Sequence, residues 1–397
     1  MAMETLILAA DPGSASRKYA LYNKSRCLVS FHFEYENDRI ICTRVIGDKV
    51  TKFNPKIKDF DECPKQILPL LEQARGAKNI DIKGIGLRVV APTGFFLKDH
   101  LLNDEVISHL TTLESRVPLH IKATLAEAKS LQKQFNNIPI GLISDSAYHY
   151  SKPDYAWNYP IKLEDADQLE IKRFGYHGIS VFSVVRDLAY EYELPEKLIV
   201  CHLGSGSSVT AVINGESFDT TMGYSPLDGL MMASRSGSID AAAALALKKD
   251  LKLTDNELEI YLNENCGLFG ISGFSNDIRE LVDAEAKGHY RAKLALAMYV
   301  YKIQQAIGQM AAAMGGVDGL IFTGTVGDRS FIIRKRIIDR LEFLNLALQT
   351  DLNEHTVEPQ IITRISPRTR QKPIYVISTD ELHEISRRTI SLIKAKR

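Results

Sequence analysis

Apolar and polar positions along the chain fall into two recurring rhythms, short apolar runs closed by Gly/Ser turns and longer stretches with helical spacing. Thr5–Ala10 is an apolar run of strand length, broken by Asp11-Pro12-Gly13-Ser14-Ala15-Ser16-Arg17-Lys18 before Tyr19–Tyr22 resumes the strand pattern. The same device returns at Leu198–Cys201, His202–Ser208 and Val209–Ile213, closing at Asn214-Gly215, a strong hairpin signal. Two copies about 190 residues apart predict two similar halves. Further strands are predicted at Cys42–Val45, Ile82–Val90, Ile138–Ile143, Gly319–Phe322 and Ile374–Ile377. Helices are predicted at Pro64–Arg75, Lys122–Phe135, Ile239–Lys249, Asp255–Leu262, Arg291–Met314, Phe331–Phe343 and Leu382–Ala395, with Thr254 and Glu257 as a capping box. Strands alternating with helices give an α/β class. The aromatic stretch Pro153–Pro160, with the one Trp (Trp157), reads as a crossing segment and puts a domain boundary near Tyr150.

Glycine- and serine-rich turns between strands expose backbone N–H groups without bulky side chains, a concavity suited to phosphate oxygens. Arg235 stands among small residues in Ser234-Arg235-Ser236-Gly237-Ser238, where its planar fork of donors can reach an anion. Arg88 sits inside an apolar strand, which leaves two readings open, a buried ion pair or a second anion site. Asp145 lies just past a strand's C-terminal end, where α/β folds place reacting groups. His177 is flanked by Gly175-Tyr176 and Gly178, Asn276-Asp277-Ile278-Arg279 reads as a loop entering a helix, and Thr323–Arg329 reads as a glycine turn compatible with a nucleotide.

Lys+Arg and Asp+Glu balance at 49 each over 397 residues, which argues against nucleic acid or a membrane surface as partner. An apolar content of 45% and a charged content of 25% fit a soluble globular chain of two domains. Cys27, Cys42, Cys63, Cys201 and Cys266 show no metal-ligand spacing and point to reduced thiols in a cytoplasm. The N-terminus has no basic region of the kind a signal peptide carries. Lys293, Lys302, Gln304 and Gln305 interrupt the long helix, making it a buried or dimer-face helix rather than a membrane span.

The run His202-Leu203-Gly204-x-Gly206-x-Ser208-Val209-x-Ala211, followed by Tyr224-Ser225-Pro226-Leu227-Asp228-Gly229-Leu230-Met231-Met232 and Arg235-Ser236-Gly237, resembles the acetokinase family of acetate, propionate and butyrate kinases. The resemblance implies two ribonuclease-H-like domains of the actin, sugar kinase and heat-shock ATPase superfamily, with a cleft between them. The domains expected are residues 1–149 plus 384–397, and 150–383. It also implies a homodimer that transfers phosphoryl from ATP to a short-chain carboxylate, with Mg²⁺ or Mn²⁺. By that resemblance Arg88 and Arg235 neutralise the transferring group, Asp145 positions or activates the carboxylate, and His177 bonds the equatorial oxygens. His202, Gly204, Ser205 and Gly206 line the phosphate path, with Ser14, Ser16 and Lys18 as a first phosphate loop. Asp11 and Glu381 hold the metal, and Asp277, Ile278, Arg279, Gly324 and Gly327 hold the nucleoside. Val90, Leu119, Tyr176 and Pro226 form the acyl pocket.

The chain departs from the family pattern at Asp11 (for Asn), Ala15 (for a hydroxyl residue), Ala91-Pro92-Thr93 (for His-Gly-Gly) and Ile121 (for Asn). Further departures are Ser205 (for Asn), Ser238 (for Asp) and Thr325-Val326-Gly327-Asp328-Arg329 (for Gly-Ile-Gly-Glu-Asn). These leave open a different donor, such as pyrophosphate or another nucleotide, a different acceptor (propionate or butyrate), or a sensor with a weakened site.

Overall fold

The computed structural model describes residues 5–13, 16–36, 39–76, 78, 80–114, 118–369 and 371–396, without the side chains of 118–120. The chain forms two compact units, Met1–Ala147 with Asp380–Arg397, and Tyr148–Thr379. The second crossing falls before Asp380 rather than at 383/384, so Glu381 belongs to the first unit.

The strands of the first unit are β1 (Leu6–Pro12), β2 (Ser16–Asn23), β3 (Arg26–Glu36), β4 (Arg39–Ile46), β5 (Lys49–Phe53), β6 (Ile82–Val89), β7 (His100–Leu101) and β8 (Ile140–Ser144). They form one sheet in the order β5-β4-β3-β2-β1-β6-β8-β7. β1 pairs antiparallel with β2 and parallel with β6, and β6 pairs parallel with β8. A central strand covered on both faces reads as a continuous apolar run, and β1 is buried from Leu6 to Asp11. One face packs Leu8, Ala10 and Leu87 against Ile67 and Leu71 of helix Cys63–Arg75 and Leu125 and Leu131 of helix Pro118–Gln134. The other lies under the C-terminal helix Glu381–Ala395. There Gly84 and Gly86 of β6 face Ile385, Thr389 and Ile393, and Gly141 of β8 faces Leu392, because no Cβ stands in the way.

In the second unit the strands are β9 (Lys197–Leu203), β10 (Ser207–Ile213), β11 (Glu216–Thr220), β12 (Gly319–Thr323), β13 (Thr363–Arg364) and β14 (Ile374–Val376), in the order β11-β10-β9-β12-β14-β13. β9, β10 and β11 form an antiparallel meander, and β12 and β14 continue in parallel from β9. The sequence β3-β2-β1-β6-β8 of the first sheet repeats as β11-β10-β9-β12-β14 in the second. That common order is the ribonuclease-H-like arrangement, present twice. Helix Tyr290–Ala313 covers one face through Leu296, Tyr299, Ile303 and Met310. Val181, Val184 and Leu188 of helix Gly178–Glu191 cover the other.

Five elements described below differ from the sequence pattern. Gly178–Glu191, unassigned by that pattern, is a helix whose N-cap is His177 in the left-handed region rather than a Ser, Thr or Asp. β3 and β5 are strands in which charged and half-buried positions dilute the apolar alternation. Thr323–Arg329 is not a turn, because Gly324–Arg329 winds into a short helix with Thr323 as its N-cap. The predicted helix Phe331–Phe343 ends at Ile338, and Glu342–Leu344 forms a separate 3₁₀ turn closed by Asn345 at φ 62°. Among the described residues no helix is long and apolar enough to cross a membrane.

A charged group lies under the first sheet. Glu127 of helix Pro118–Gln134 accepts a 2.6 Å hydrogen bond from Tyr19 and stands 3.8 Å from Arg17 Nε. Arg17 in turn lies over the Phe60 ring and donates to the carbonyls of Gly13 and Ser16, beside the first Gly/Ser turn. Burial pushes the Glu127 carboxyl up to about 7, against the pull of Tyr19 and Arg17.

Two stability measurements follow from this packing. Gly86→Ala drives a methyl group into Thr389 Oγ1 and to 2.6 Å from Ile385 Cγ2, and thermal unfolding is expected to show a loss of roughly 1–3 kcal/mol; an unchanged midpoint would mean that the helix does not sit this close. Glu127 retains its proton in the folded chain up to about 7, whereas the unfolded chain releases it near 4.5. Its contribution is therefore present below the lower value and is lost as pH rises through that window. Glu127→Gln is expected to flatten the fall in unfolding midpoint between roughly pH 5 and 7.5, and parallel profiles for the two proteins would refute this.

Candidate active site

In the first unit the site is built on parallel register. β1 and β6 align Ala10 with Leu87, so the next residue of each strand, Asp11 and Arg88, comes side by side. Arg88 Nε stands 2.7 Å from Asp11 Oδ1, and Arg88 NH1 stands 3.8 Å from Asp145 Oδ2. The partner of Asp11 is thus Arg88, not Lys18 or Arg17, its neighbours in sequence. Of the two readings open for Arg88, the ion pair is present, and it leaves the anion role to be tested. Asp145 follows β8 directly and is buried, with its amide donating to Val89 O at 3.0 Å. Burial opposes the Arg88 charge, but Asp11, Asp145 and Glu381 more than offset it and hold the guanidinium more firmly protonated than usual. Glu381, in the first turn of the C-terminal helix, is pushed up to about 7 by burial and then by Asp11 and Asp145, against Arg88 and Lys18. Three carboxylates therefore act on one another here with two cations among them, a balance that a divalent cation would improve.

The donor set fits Mg²⁺. It is all oxygen, and Asp11 Oδ1 is buried with no hydrogen-bond donor aligned on it. Among the described residues no three His, Cys, Asp or Glu stand close enough to enclose a metal, which accords with an ion held by one or two carboxylates, water and substrate phosphate. Ser16 and Lys18 are half-buried at the start of β2, opposite the end of β1. Ser14 lies outside the described residues, as does the side chain of Leu119. Val90 is half-buried immediately after β6.

The second unit concentrates cations and N–H groups around the turn between β9 and β10. Gly204 N donates to Gly206 O at 3.0 Å, closing the turn, with Ser205 exposed at its tip. A Cβ on Gly206 would lie 3.1 Å from His177 Nε2 and 3.5 Å from Arg235 NH1, so this glycine lets an imidazole and a guanidinium converge on one turn. His177 has φ 60°, a conformation that costs a non-glycine residue of order 1–2 kcal/mol. Its ring is fixed by a 3.0 Å hydrogen bond between Nδ1 and Ser208 Oγ and by the His202 ring, 4.2 Å away between centroids. His202 Nδ1 shares a 2.7 Å hydrogen bond with Ser180 Oγ. Ser180 belongs to a helix that the pattern leaves unassigned, so its role was not legible.

Asp228 organises the loops around these groups. It accepts from Tyr159 Oη at 3.0 Å, Ser238 Oγ at 2.5 Å and Gly229 N at 2.9 Å, with Arg173 NH1 at 3.6 Å. Tyr176 is buried and donates to Tyr224 O at 2.6 Å, which pins the turn carrying the buried Pro226. Asp277 caps helix Ile278–Ala286 and pairs with the exposed Arg279, whose hydrogen bonds hold the Asp277 carboxyl below its usual range. Ile278 is packed in the core, so only its backbone is placed to meet a ligand. Gly324 and Gly327 are buried in the short helix after β12, and Gly324 has φ 79° against the backbone of Leu203.

A model described as the acetokinase family matches residues 6–387. An acetate kinase of Thermoanaerobacterium thermosaccharolyticum is 35% identical over 400 residues, covering 98% of this chain and 99% of that protein. Among solved structures, a propionate kinase from Francisella tularensis superposes with a TM-score of 0.89 at 30% identity, covering 98% of this chain and 100% of the other. An acetate kinase of Porphyromonas gingivalis gives 0.86 at 27% identity, with the same coverage.

Gly206→Ala tests the second cluster. Gly206 needs no left-handed backbone, so the fold is expected to tolerate the change within about 1 kcal/mol. The new methyl group is expected to displace His177 and Arg235 and lower acyl phosphate formation at least about tenfold. Turnover at the wild-type level in this variant would take the turn out of the chemistry.

Proposed function

The chain belongs to the acetokinase family, phosphotransferases with a carboxyl group as acceptor, and from that premise we propose that it transfers the terminal phosphoryl group of ATP reversibly to acetate. The observation that carries the reading is the convergence of His177 and Arg235 on the Cβ-free turn at Gly206. Phosphoryl transfer asks a protein mainly for positioning and for neutralisation of charge spread over three oxygens, and an imidazole, a guanidinium and a glycine turn meet that demand.

The second unit supplies the donor's contacts. His202, Gly204, Ser205 and Gly206 follow the phosphates, Arg235 neutralises the transferring group and His177 bonds its oxygens. Gly324, Gly327, Asp277, Arg279 and the backbone of Ile278 hold the nucleoside, and Tyr176 and Pro226 wall the acyl group. From the first unit, Arg88 neutralises charge, Asp145 orients the acceptor carboxylate, Val90 and Leu119 contact its methyl group, and Ser14, Ser16 and Lys18 meet phosphate. Asp11 and Glu381 would hold Mg²⁺, which when bound supplies neutralisation of the donor phosphates.

The working state in this reading is a homodimer in the cytoplasm. Helix Ala241–Asp250 has no buried residue although seven of its positions are Ala or Leu, and Tyr290, Leu294 and Tyr301 are exposed on the long helix. Apolar faces of this kind suit a second copy of the chain. All five cysteines are free, as a reducing compartment keeps them.

A hydroxamate assay across acetate, propionate and butyrate, each with ATP and with pyrophosphate, tests donor and acceptor together. Acetate and propionate are both expected to react with ATP, within about two orders of magnitude of each other; turnover with pyrophosphate alone would replace the donor, and no acyl phosphate under any condition would leave only a binding role. Arg88→Ala and Arg235→Ala are each expected to lower kcat by about 10²–10³ with a smaller change in KM for ATP.

A further inference from the structure

The peptide group that carries Asp145 is held from both sides by residues outside the site as described above. Its N–H, on Asp145, donates to Val89 O at 3.0 Å. Its C=O, on Ser144, accepts from Arg388 NH2 at 3.2 Å. Arg388 itself is gripped by Asp99, through Nε to Oδ2 at 2.9 Å and through NH2 to Oδ1. Asp99 Oδ1 also accepts from Ser144 N at 2.9 Å. Ser144 Oγ donates to Phe96 O and accepts from Ser146 N at 3.1 Å. Each backbone and side-chain polar group of Ser144 is thus engaged, and the Arg388 and Asp99 side chains are only 12% and 16% exposed.

We propose that the Asp99–Arg388 ion pair positions Asp145, fixing the peptide on which it stands relative to the helix that bears Glu381. Arg388 lies seven residues after Glu381 on the C-terminal helix, about two turns along one axis. A single rigid helix therefore carries a proposed metal ligand at its first turn and the anchor of the acceptor-orienting carboxylate further along. A bidentate guanidinium–carboxylate pair suits this role because its two parallel hydrogen bonds fix an angle as well as a distance. Catalysis by orientation is sensitive to displacements of about 1 Å, and loss of Arg388 frees the Ser144 carbonyl and leaves Asp99 without its cation. Asp99 and Arg388 are positioning residues, acting on the reaction through Asp145. The inference rests on the reading of Asp145 given above.

The test is a kinetic cycle on the full-length protein with ATP and acetate, with variants Arg388→Met, Arg388→Lys, Asp99→Asn and Asp145→Asn, and the double variant Arg388→Met with Asp145→Asn. Arg388→Met is expected to lower kcat about 10–100-fold with KM for ATP within about threefold of the wild type. Arg388→Lys, which keeps the charge but not the fork, should recover only part of the loss. In the Asp145→Asn background the same Arg388→Met change should lower kcat less than about threefold, because the group it positions is gone. Thermal unfolding of each variant separates misfolding from mispositioning, since a loss of stability carries over unchanged into the double variant and the loss of kcat does not. Full multiplication of the two kcat effects in the double variant, or an Arg388→Met enzyme with wild-type kcat, overturns the proposal while leaving the role of Asp145 intact. Wild-type turnover in Asp145→Asn overturns both.

Discussion

A guanidinium set into the sheet of the first unit governs much of what surrounds it. A buried cation is tolerated only where carboxylates and hydrogen bonds replace the water it has lost. Arg88 obtains this from three different parts of the chain, namely Asp11 at the end of β1, Asp145 just beyond β8, and Glu381 at the start of the C-terminal helix. Two of these follow from the parallel order β1-β6-β8, which brings the ends of the three strands to the same edge. The third requires residues 380–397 to rejoin the first unit, which they do. The arrangement is left with more carboxylate than its cations balance, and Glu381 holds its proton up to about 7, first through burial and then through Asp11 and Asp145. Such a cluster attracts a hard divalent cation more readily than it attracts phosphate alone.

The second unit solves the opposite problem. Its turn is lined by His177, His202 and Arg235, while the carboxylate of Asp228 is spent on Tyr159, Ser238 and Arg173 in the framework of the loops. A carboxylate among these cationic groups would repel an anionic ligand, whereas Asp228 orders the loops. The left-handed conformation of His177 belongs to the same design. The strain is sustained because Ser208 and the His202 ring fix the imidazole from two sides.

The two hairpins were legible in the sequence because each is an apolar run, a Gly/Ser turn and a second apolar run, a pattern that few other structures satisfy. Arg235, presented among small residues, and Asp145, just past a strand end, could be singled out for local reasons, whereas His177 was marked by the family resemblance alone. The partner of Asp11 could not, since it lies in a strand many residues away and only the register Ala10 to Leu87 brings it alongside. Helix Gly178–Glu191 escaped because it begins at a strained histidine and is rich in β-branched residues, so neither its cap nor its composition announces it. β5 escaped for a different reason, as an edge strand carries the polar side chains that blunt an edge. The short helix Gly324–Arg329 reads as a turn because its glycines serve close approach, Gly324 to Leu203 and Gly327 to Phe322 and Cys201, rather than chain reversal.

In the first unit, stability and the proposed chemistry depend on the same contact. The C-terminal helix lies against the sheet because Gly84, Gly86 and Gly141 present no side chain to it, so Ile385, Thr389, Leu392 and Ile393 rest directly on β6 and β8. That closeness buries the helix and adds to the core, and it also sets where Glu381 stands relative to Asp11 and where Arg388 meets Ser144. A methyl group added at Gly86 of β6 would therefore disturb a carboxylate one to two helical turns away without touching it. The turn at Gly206 in the second unit projects from a hairpin whose Cys201 and Val209 pack with helix Tyr290–Ala313 and whose Ser207 Oγ shares a 3.1 Å hydrogen bond with Tyr299 Oη, while Gly206 itself meets the side chains of His177 and Arg235. Changes at the turn can alter the approach of His177 and Arg235 while that packing remains as it is, so the two halves of the proposed machinery fail in different ways, one through the fold and the other at the tip of a loop.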